Sequence, residues 1–277
     1  MPITTVGCAT IFMLYPHQGE CRLTTLAVVS PTEHADKTWR RFTSYRHAAD
    51  AMVVPLVSTE LILAAAALPV GFVPTADGYE PIALLGVETG HNLFVHPDGQ
   101  WLGRYVPAAL RSYPFQVAAR ADGEKMLCVD EDSGLLRDDA SGEAFFTDEG
   151  ELAPALREVF DFLHHLEVER QITAIACGLL QDHGLLEPWP ITLKDGDDQR
   201  PLEGLWRISE PQLKAIDGAV LQLLRDGNAL PMVYCQLLSM QHLGLLADLA
   251  LVHAKVRPVV PKASPFGSGE VEFRFDH

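Results

Sequence analysis

Residues 152–184 read LAPALREVFDFLHHLEVERQITAIACGLLQDHG, and this stretch carries the strongest periodicity in the chain. Apolar side chains recur at steps of three and four from Leu152 to Leu166 and again from Ile172 to Leu180. That spacing places them on one face of an α-helix. The pattern predicts either one helix of about 30 residues or two helices with a break near the middle, ending at Gly184.

The residues before this stretch show short apolar runs separated by turn residues, which is typical of β-strands. The predicted strands cover residues 70–73, 82–86, 92–95 and 126–129. His96-Pro97-Asp98-Gly99 predicts a tight turn between two strands, because proline presets the second turn position and Asp and Gly suit the following ones. Residues 121–151 carry eleven acidic side chains against two basic ones, so we expect an exposed acidic loop there.

The residues after 184 predict a hairpin, in which 189–193 pairs with 204–208, and two further helices near 209–226 and 229–255. Strands that mostly precede the helices indicate an α+β fold. We expect a small, mostly antiparallel sheet in the N-terminal half and long helices in the C-terminal half. The predicted organisation is a loosely ordered leader (1–22), a single domain (23–260) and a Pro/Gly/Ser-rich tail (261–277).

Charge and hydropathy limit the classes of partner. The 277 residues carry a formal net charge of −16, which argues against nucleic acid and anionic membrane surfaces. Residues 61–73 are apolar but too few to span a membrane, and polar side chains interrupt the uncharged residues 227–247, as in a helix buried in protein. The apolar residues 7–15 lack the preceding positive charge of a Sec signal. We predict a soluble chain without a membrane span, located in the cytoplasm.

The reactive residue types form no complete motif. Five scattered cysteines, at positions 8, 21, 128, 177 and 235, fit buried free thiols better than a disulfide framework, a zinc site or a nucleophile. His96 and Asp98 match the first two ligands of a 2-His-1-carboxylate iron site, but the later histidines lie mostly on predicted helices. We therefore favour the turn, assign no catalytic, metal or cofactor residue, and keep an iron, 2-oxoglutarate-type oxygenase as the alternative.

Aromatic residues are concentrated in Gly/Pro-rich segments outside the periodic helices. Together with one arginine they suggest a surface for a partner or ligand, since Trp, Tyr and Arg are enriched in recognition patches. The candidate residues are Trp101, Tyr105, Arg111, Tyr113, Trp189 and Trp206. The alternative is that these side chains cover the sheet as part of the core.

Several strings occur in an order that resembles a known family. They include Asp98-Gly99-Gln100-Trp101, Tyr105-Val106-Pro107-Ala108, Arg111-Ser112-Tyr113-Pro114-Phe115 and Gly184-Leu185-Leu186-Glu187-Pro188-Trp189. Over residues 25–245 the chain resembles the bacterial SapC family, which is named after an S-layer gene region.

The resemblance implies association with paracrystalline surface layers and supplies no catalytic residues. It leads us to expect a non-enzymatic accessory protein of the cell envelope or surface layer that binds a protein or peptide. A chain that itself packs into a lattice is a further alternative. The family implies a location at the cell surface, against the cytoplasm that the sequence favours, and the oligomeric state is left open.

Overall fold

The structure, a computed structural model, describes residues 26–119, 125–195 and 198–256. The predicted leader (1–22) and tail (261–277) lie outside the described residues, as do residues 121–124 of the acidic segment. The fold is α+β, with small antiparallel sheets in the N-terminal half and helices in the C-terminal half, as the sequence predicts.

The strands of the described residues all pair in antiparallel fashion. In chain order they are β1 (Leu26–Val28), β2 (Thr38–Trp39), β3 (Val53–Pro55), β4 (Val70–Thr75), β5 (Gly78–Leu84), β6 (Phe115–Ala119), β7 (Lys125–Asp130), β8 (Leu136–Arg137), β9 (Glu143–Ala144), β10 (Leu186–Pro188), β11 (Ile191–Asp195), β12 (Asp198–Leu202) and β13 (Trp206–Ile208). The α-helices are α1 (Pro31–His34), α2 (Leu61–Ala65), α3 (Pro154–Asp182), α4 (Glu210–Ala215), α5 (Gly218–Asp226), α6 (Leu230–Ser239) and α7 (Leu243–Val256).

The described residues divide into two compact units. Unit one consists of residues 26–43 and 112–165, and unit two consists of residues 44–111 and 166–256. Helix α3 contributes its first part to unit one and its second part to unit two. Within the predicted domain of residues 23–260, each unit therefore takes residues from two separated parts of the chain.

Unit one contains two three-stranded sheets, with strand orders β1-β7-β6 and β8-β2-β9. Its core is aromatic: Trp39 meets Phe115 edge-on at 4.8 Å between ring centroids, and Phe115 lies 5.9 Å from Phe145. Phe145 is fully buried although it lies within the acidic segment 121–151. The prediction of an exposed loop there is therefore wrong in part, because β7 and this phenylalanine anchor the segment in the core.

His34 gives unit one a pH-dependent stability. Its ring is fully buried 5.0 Å from that of Phe145, and within the described residues its Nε2 atom has no hydrogen-bond partner. Burial lowers the pKa of this imidazole below 6.5, so the folded state resists protonation more than the unfolded state does.

We expect the free energy of unfolding of unit one to be highest above about pH 6.5 and to fall as the pH drops through and below that value. Urea unfolding between neutral and mildly acidic pH measures this slope, and His34→Leu should make it shallower. An identical slope in wild type and variant would contradict the assignment to His34.

Unit two contains a five-stranded sheet of order β10-β13-β4-β5-β3 and the two-stranded sheet β11-β12. A hairpin forms here, but the predicted pairing of 189–193 with 204–208 is wrong. Leu193 pairs with Arg200 in the β11-β12 ladder, and Trp206 pairs with Pro188 in the β10-β13 ladder that lies outside it. A large core joins the sheet to the helices through fully buried side chains such as Phe72, Leu84 and Leu180. Helices α2, α3 and α6 each contribute buried side chains to this core.

Helix α3 is one continuous helix, so the alternative of a break near its middle does not occur. It ends as the sequence suggests: Gly184 adopts φ +64°, and the Leu185 amide donates to the Leu180 carbonyl at 2.9 Å. A glycine with left-handed backbone is the usual way to stop a helix. The two later predicted helices are each divided, the first at Ile216-Asp217 and the second by a 3₁₀ turn at Met240–His242.

The predicted strand at residues 92–95 does not form. Asn92 is buried, and its side-chain oxygen accepts a hydrogen bond from the Phe94 amide while its side-chain nitrogen donates to the Ala48 carbonyl, both at 2.9 Å. Such local bonds compete with a sheet ladder. Only Val95 makes an isolated bridge, to Trp101, across the turn.

Candidate functional site

Three of the six predicted surface residues lie together in unit two. The Trp101 indole nitrogen donates to the Tyr105 carbonyl at 2.9 Å, and the Arg111 guanidinium lies 5.0 Å from the centre of the Tyr105 ring. Arg111 also donates twice to the Val106 carbonyl, at 2.9 and 2.7 Å. A cation placed over an aromatic ring is an attractive contact, so the loop 101–111 carries its own aromatic and cationic cluster.

A buried carboxylate holds this loop in place. Glu60 is 6% exposed, and its Oε2 accepts hydrogen bonds from the Tyr105 hydroxyl at 2.7 Å and from the Ala108 amide at 2.8 Å. Its Oε1 accepts from the Val57 amide at 3.1 Å. Burial, together with the Glu60 carboxylate, raises the pKa of the Tyr105 hydroxyl. The hydroxyl therefore keeps its proton and acts as a donor.

The other predicted residues lie elsewhere. Trp189 is 3% exposed and belongs to the core of unit two, which fits the alternative interpretation, and the half-buried Trp206 packs on Tyr79 at 5.1 Å. Tyr113 lies in unit one, where its hydroxyl donates to Asp130 at 3.2 Å. The partner surface formed by the six residues stays a prediction, and the structure groups only Trp101, Tyr105 and Arg111 of them.

The His96-Asp98 pair forms part of the predicted turn, which the structure confirms. The Gly99 amide donates to the His96 carbonyl at 2.7 Å, and Gly99 adopts φ +94°. His96 Nδ1 lies 2.8 Å from Asp98 Oδ1. Hydrogen bonds from the Gln100 amide and from the His96 imidazole lower the pKa of Asp98, and the Gln100 amide has the larger effect. Across the described residues, no three His, Cys, Asp or Glu side chains are placed to share a metal ion.

Three cysteines of unit one and unit two can be located. Cys128, Cys177 and Cys235 are buried free thiols, while Cys8 and Cys21 lie outside the described residues. Burial raises the pKa of each thiol, and it raises that of Cys177 to about 12. Because the thiolate is the reactive form, these three positions are poorly suited to nucleophilic chemistry.

Exposed apolar side chains have an uneven distribution that the sequence analysis missed. Among the described residues, every exposed large apolar side chain belongs to unit two. These residues are Ile62, Leu63, Leu102, Val168, Ile172, Ile175, Leu221, Leu223, Tyr234, Leu238, Leu251 and Val252. Ile172 and Ile175 are among them, at 41% and 67% exposed, so the prediction that they share the core-facing side of the helix with Leu180 is wrong. The core side at this point is formed by Thr173, Ala176 and Cys177, which also recur at steps of three and one, and this second set was the available signal in the sequence.

Seven of these side chains lie on three helices that contact one another. Helix α2 packs on α6, the Ser58 amide next to α2 donates to Thr173 of α3 at 2.8 Å, and Cys177 of α3 lies 3.6 Å from Met232 of α6 between sulfur atoms. We call the exposed side chains of α2, of residues 166–182 of α3 and of α6 the helical surface. Its apolar members are Ile62, Leu63, Val168, Ile172, Ile175, Tyr234 and Leu238.

One helical run in the described part of the chain is long and apolar enough to cross a membrane by length and composition. It extends over Leu230–Lys255, and 44% of its most apolar 18-residue stretch is buried inside the protein. Core helices of globular proteins meet the same criterion. The run is therefore weak evidence for a membrane span.

Comparison with known proteins gives one family. The SapC family model matches residues 29–246, which is most of the chain and covers both units. No curated protein and no solved structure matches the sequence.

Proposed function

The chain belongs to the SapC family, and on that premise we propose that it is a non-enzymatic accessory protein of the bacterial cell envelope or surface layer. It acts by binding another protein or a peptide. The observation that carries the proposal is the confinement of the exposed apolar side chains to unit two. The association of the family with surface layers supports the envelope as the place of action.

The energetics of exposed apolar surface support a binding role. Burying apolar surface contributes about 25 cal/mol per Å², so the helical surface gains free energy when a partner covers it. Contiguous apolar patches on otherwise polar proteins commonly mark interaction sites. Seven exposed apolar side chains lie on three helices of unit two that contact one another, α2, α3 and α6.

The polar groups favour binding over catalysis. The Glu60 carboxylate is engaged by three donors from its own unit, and Asp98 is engaged by the Gln100 amide and by His96. The iron-dependent oxygenase that would use His96 and Asp98 stays the alternative prediction. Elemental analysis of the purified protein tests it, because that mechanism needs one bound iron per chain.

A photocrosslinking experiment in the native host tests the proposed function. A photoreactive residue replaces Leu238 on the helical surface, and the matched control replaces the exposed Ala140 of unit one. We expect an envelope or surface-layer protein to be crosslinked from position 238 and not from position 140. Equal yields from both positions, or crosslinks only to cytoplasmic enzymes, would contradict the proposal.

A further inference from the structure

We infer that the contact between His91 and His253 is a pH-sensitive switch, which holds the last turns of α7 on the loop of residues 86–93 and releases them in mildly acidic conditions. The inference goes beyond the proposed binding role, because it concerns a conformational change within unit two. Three properties carry it: the burial of His253, the short distance between the two imidazole rings and the balance of the charges around them.

His253 lies on the buried face of α7. It follows Leu246 and Leu249 at steps of three and four, which is the spacing of a single helix face. Leu246, Leu249 and His253 are 0%, 7% and 6% exposed, whereas the neighbouring Leu251 and Val252 are 40% and 38% exposed. An imidazole therefore occupies a position at which the buried stripe of this helix otherwise has leucine.

The His253 ring joins α7 to the loop 86–93. Its Nε2 atom lies 3.0 Å from the carbonyl oxygen of Leu93, so this nitrogen carries the hydrogen and donates it. Leu93 is 1% exposed, and its amide donates to the Leu85 carbonyl at 2.8 Å, which holds the acceptor in position. A neutral imidazole is sufficient for this hydrogen bond, because the neutral ring already has one N–H group.

The His91 ring stands edge-on to the His253 ring, with 5.0 Å between the ring centroids and 84° between the planes. Two positive charges at this separation repel each other, and burial weakens the screening by water. The closed contact therefore disfavours protonation of both rings. In the released state the two imidazoles are apart and exposed to water, where each takes up a proton near about pH 6.5.

The charges around the pair do not compensate for a second proton. Glu88 is the acid of the loop 86–93, and it pairs with Arg200 at 2.7 Å, so its negative charge is already balanced. Lys255 adds positive charge at the end of α7. The other titratable side chains of α7 and of the segment 47–52, which bonds to the loop, are Asp248, His47 and Asp50. Both aspartates are exposed, and water screens such carboxylates.

Acid therefore favours release of the last turns of α7. The released state binds one proton more than the closed state, and this difference changes the release equilibrium by about tenfold per pH unit. Release should be least favourable above about pH 7 and should become more favourable as the pH falls below about 6.5. It uncovers the buried side chains of Leu93 and Leu249.

Hydrogen exchange of the full-length protein, followed by mass spectrometry between about pH 7.5 and 5.5, tests the inference. Each rate is divided by the intrinsic exchange rate at the same pH, so that only the opening equilibrium remains. We expect the protection of residues 249–256 to decrease by about tenfold over the lowest pH unit. The protection of residues 230–239 in α6, which contain no histidine, should change by less than about twofold.

Three substitutions assign the pH dependence to the pair. In His253→Gln the side chain retains an N–H donor for the Leu93 carbonyl but takes up no proton, so the protection of residues 249–256 should become nearly independent of pH. His91→Gln leaves one imidazole without the repelling ring, and the decrease should shrink to about threefold or less. The matched control, His164→Gln, changes an exposed histidine of unit one and should leave the tenfold decrease in place.

Three results would overturn the inference. The first is equal protection of residues 249–256 at neutral and acidic pH in the wild-type protein. The second is a decrease of the wild-type size that persists in His253→Gln, even if that variant is less protected at every pH. The third is a decrease of the same size in α6, which would indicate general unfolding of unit two instead of local release of α7.

Discussion

Replacing Glu60 with alanine is expected to lower the free energy of unfolding by about 3–5 kcal/mol. The substitution removes the acceptor of three hydrogen bonds, from the amides of Val57 and Ala108 and from the hydroxyl of Tyr105. Val57 and Ala108 are 5% and 6% exposed, so their amides cannot easily turn to water. An unsatisfied buried donor costs about 1–3 kcal/mol, and two or three such donors give the expected total.

Two milder variants test this interpretation of Glu60. Tyr105→Phe removes one donor and leaves both backbone bonds, so we expect a loss of about 1–2 kcal/mol. Glu60→Gln retains an oxygen acceptor but loses the charge, and its effect should lie between the other two. Urea unfolding, followed by circular dichroism and tryptophan fluorescence, gives the three values. A loss below about 1 kcal/mol for Glu60→Ala would show that the carboxylate does not hold the loop in solution.

The sequence predicts elements whose signals are local. The 29-residue helix α3 follows from the spacing of Leu156, Leu163 and Leu166, and the turn at His96–Gly99 follows from turn chemistry alone. In both cases the deciding interactions join residues within a few positions of one another. The fold class was accessible for the same reason, since it depends on the order of such elements.

The interleaved units could not be predicted in this way. Trp39 packs on Phe115, which lies 76 positions later, and nothing in either local sequence specifies that contact. The same holds for the anchor of the loop 101–111, because Glu60 is 45 positions from Tyr105. A buried acid within a short helical turn has no sequence pattern that separates it from an exposed one. Such long-range pairs are visible only when the chain is folded.

The helical surface is an intermediate case. Its members Val168, Ile172 and Ile175 are present in the same periodic stretch that predicts α3, but on a different face from the buried Thr173, Ala176 and Cys177. A helix that is apolar on two faces has one face more than its own core needs. The second face of α3 was present in the sequence, whereas the exposure of Tyr234 and Leu238 depends on which side of α6 packs on the rest of unit two.

Replacing Gly86 with alanine is expected to cost about 2–4 kcal/mol. A Cβ atom at this position would overlap the carbonyl oxygen of His91, which is backbone and cannot rotate away. The segments concerned are joined by hydrogen bonds, from the Gly86 amide to the Met52 carbonyl at 3.1 Å and from the Leu93 amide to the Leu85 carbonyl at 2.8 Å. Relieving the overlap must lengthen some of these bonds, because the core on both sides is close-packed.

The same chemical change at Gly244 should have the opposite sign. Gly244 is an exposed position within α7, and a Cβ atom there meets no atom within 4 Å. Alanine in a helix interior is more favourable than glycine by about 1 kcal/mol, so Gly244→Ala should stabilise the protein by up to that amount. Thermal and urea unfolding of the two variants compare them directly. If Gly86→Ala also stabilised the protein, the methyl group would act through backbone entropy at both positions, and the segments around Gly86 and His91 would be less closely packed than the structure has them. A loss of stability for Gly244→Ala would instead contradict the expected gain at that position.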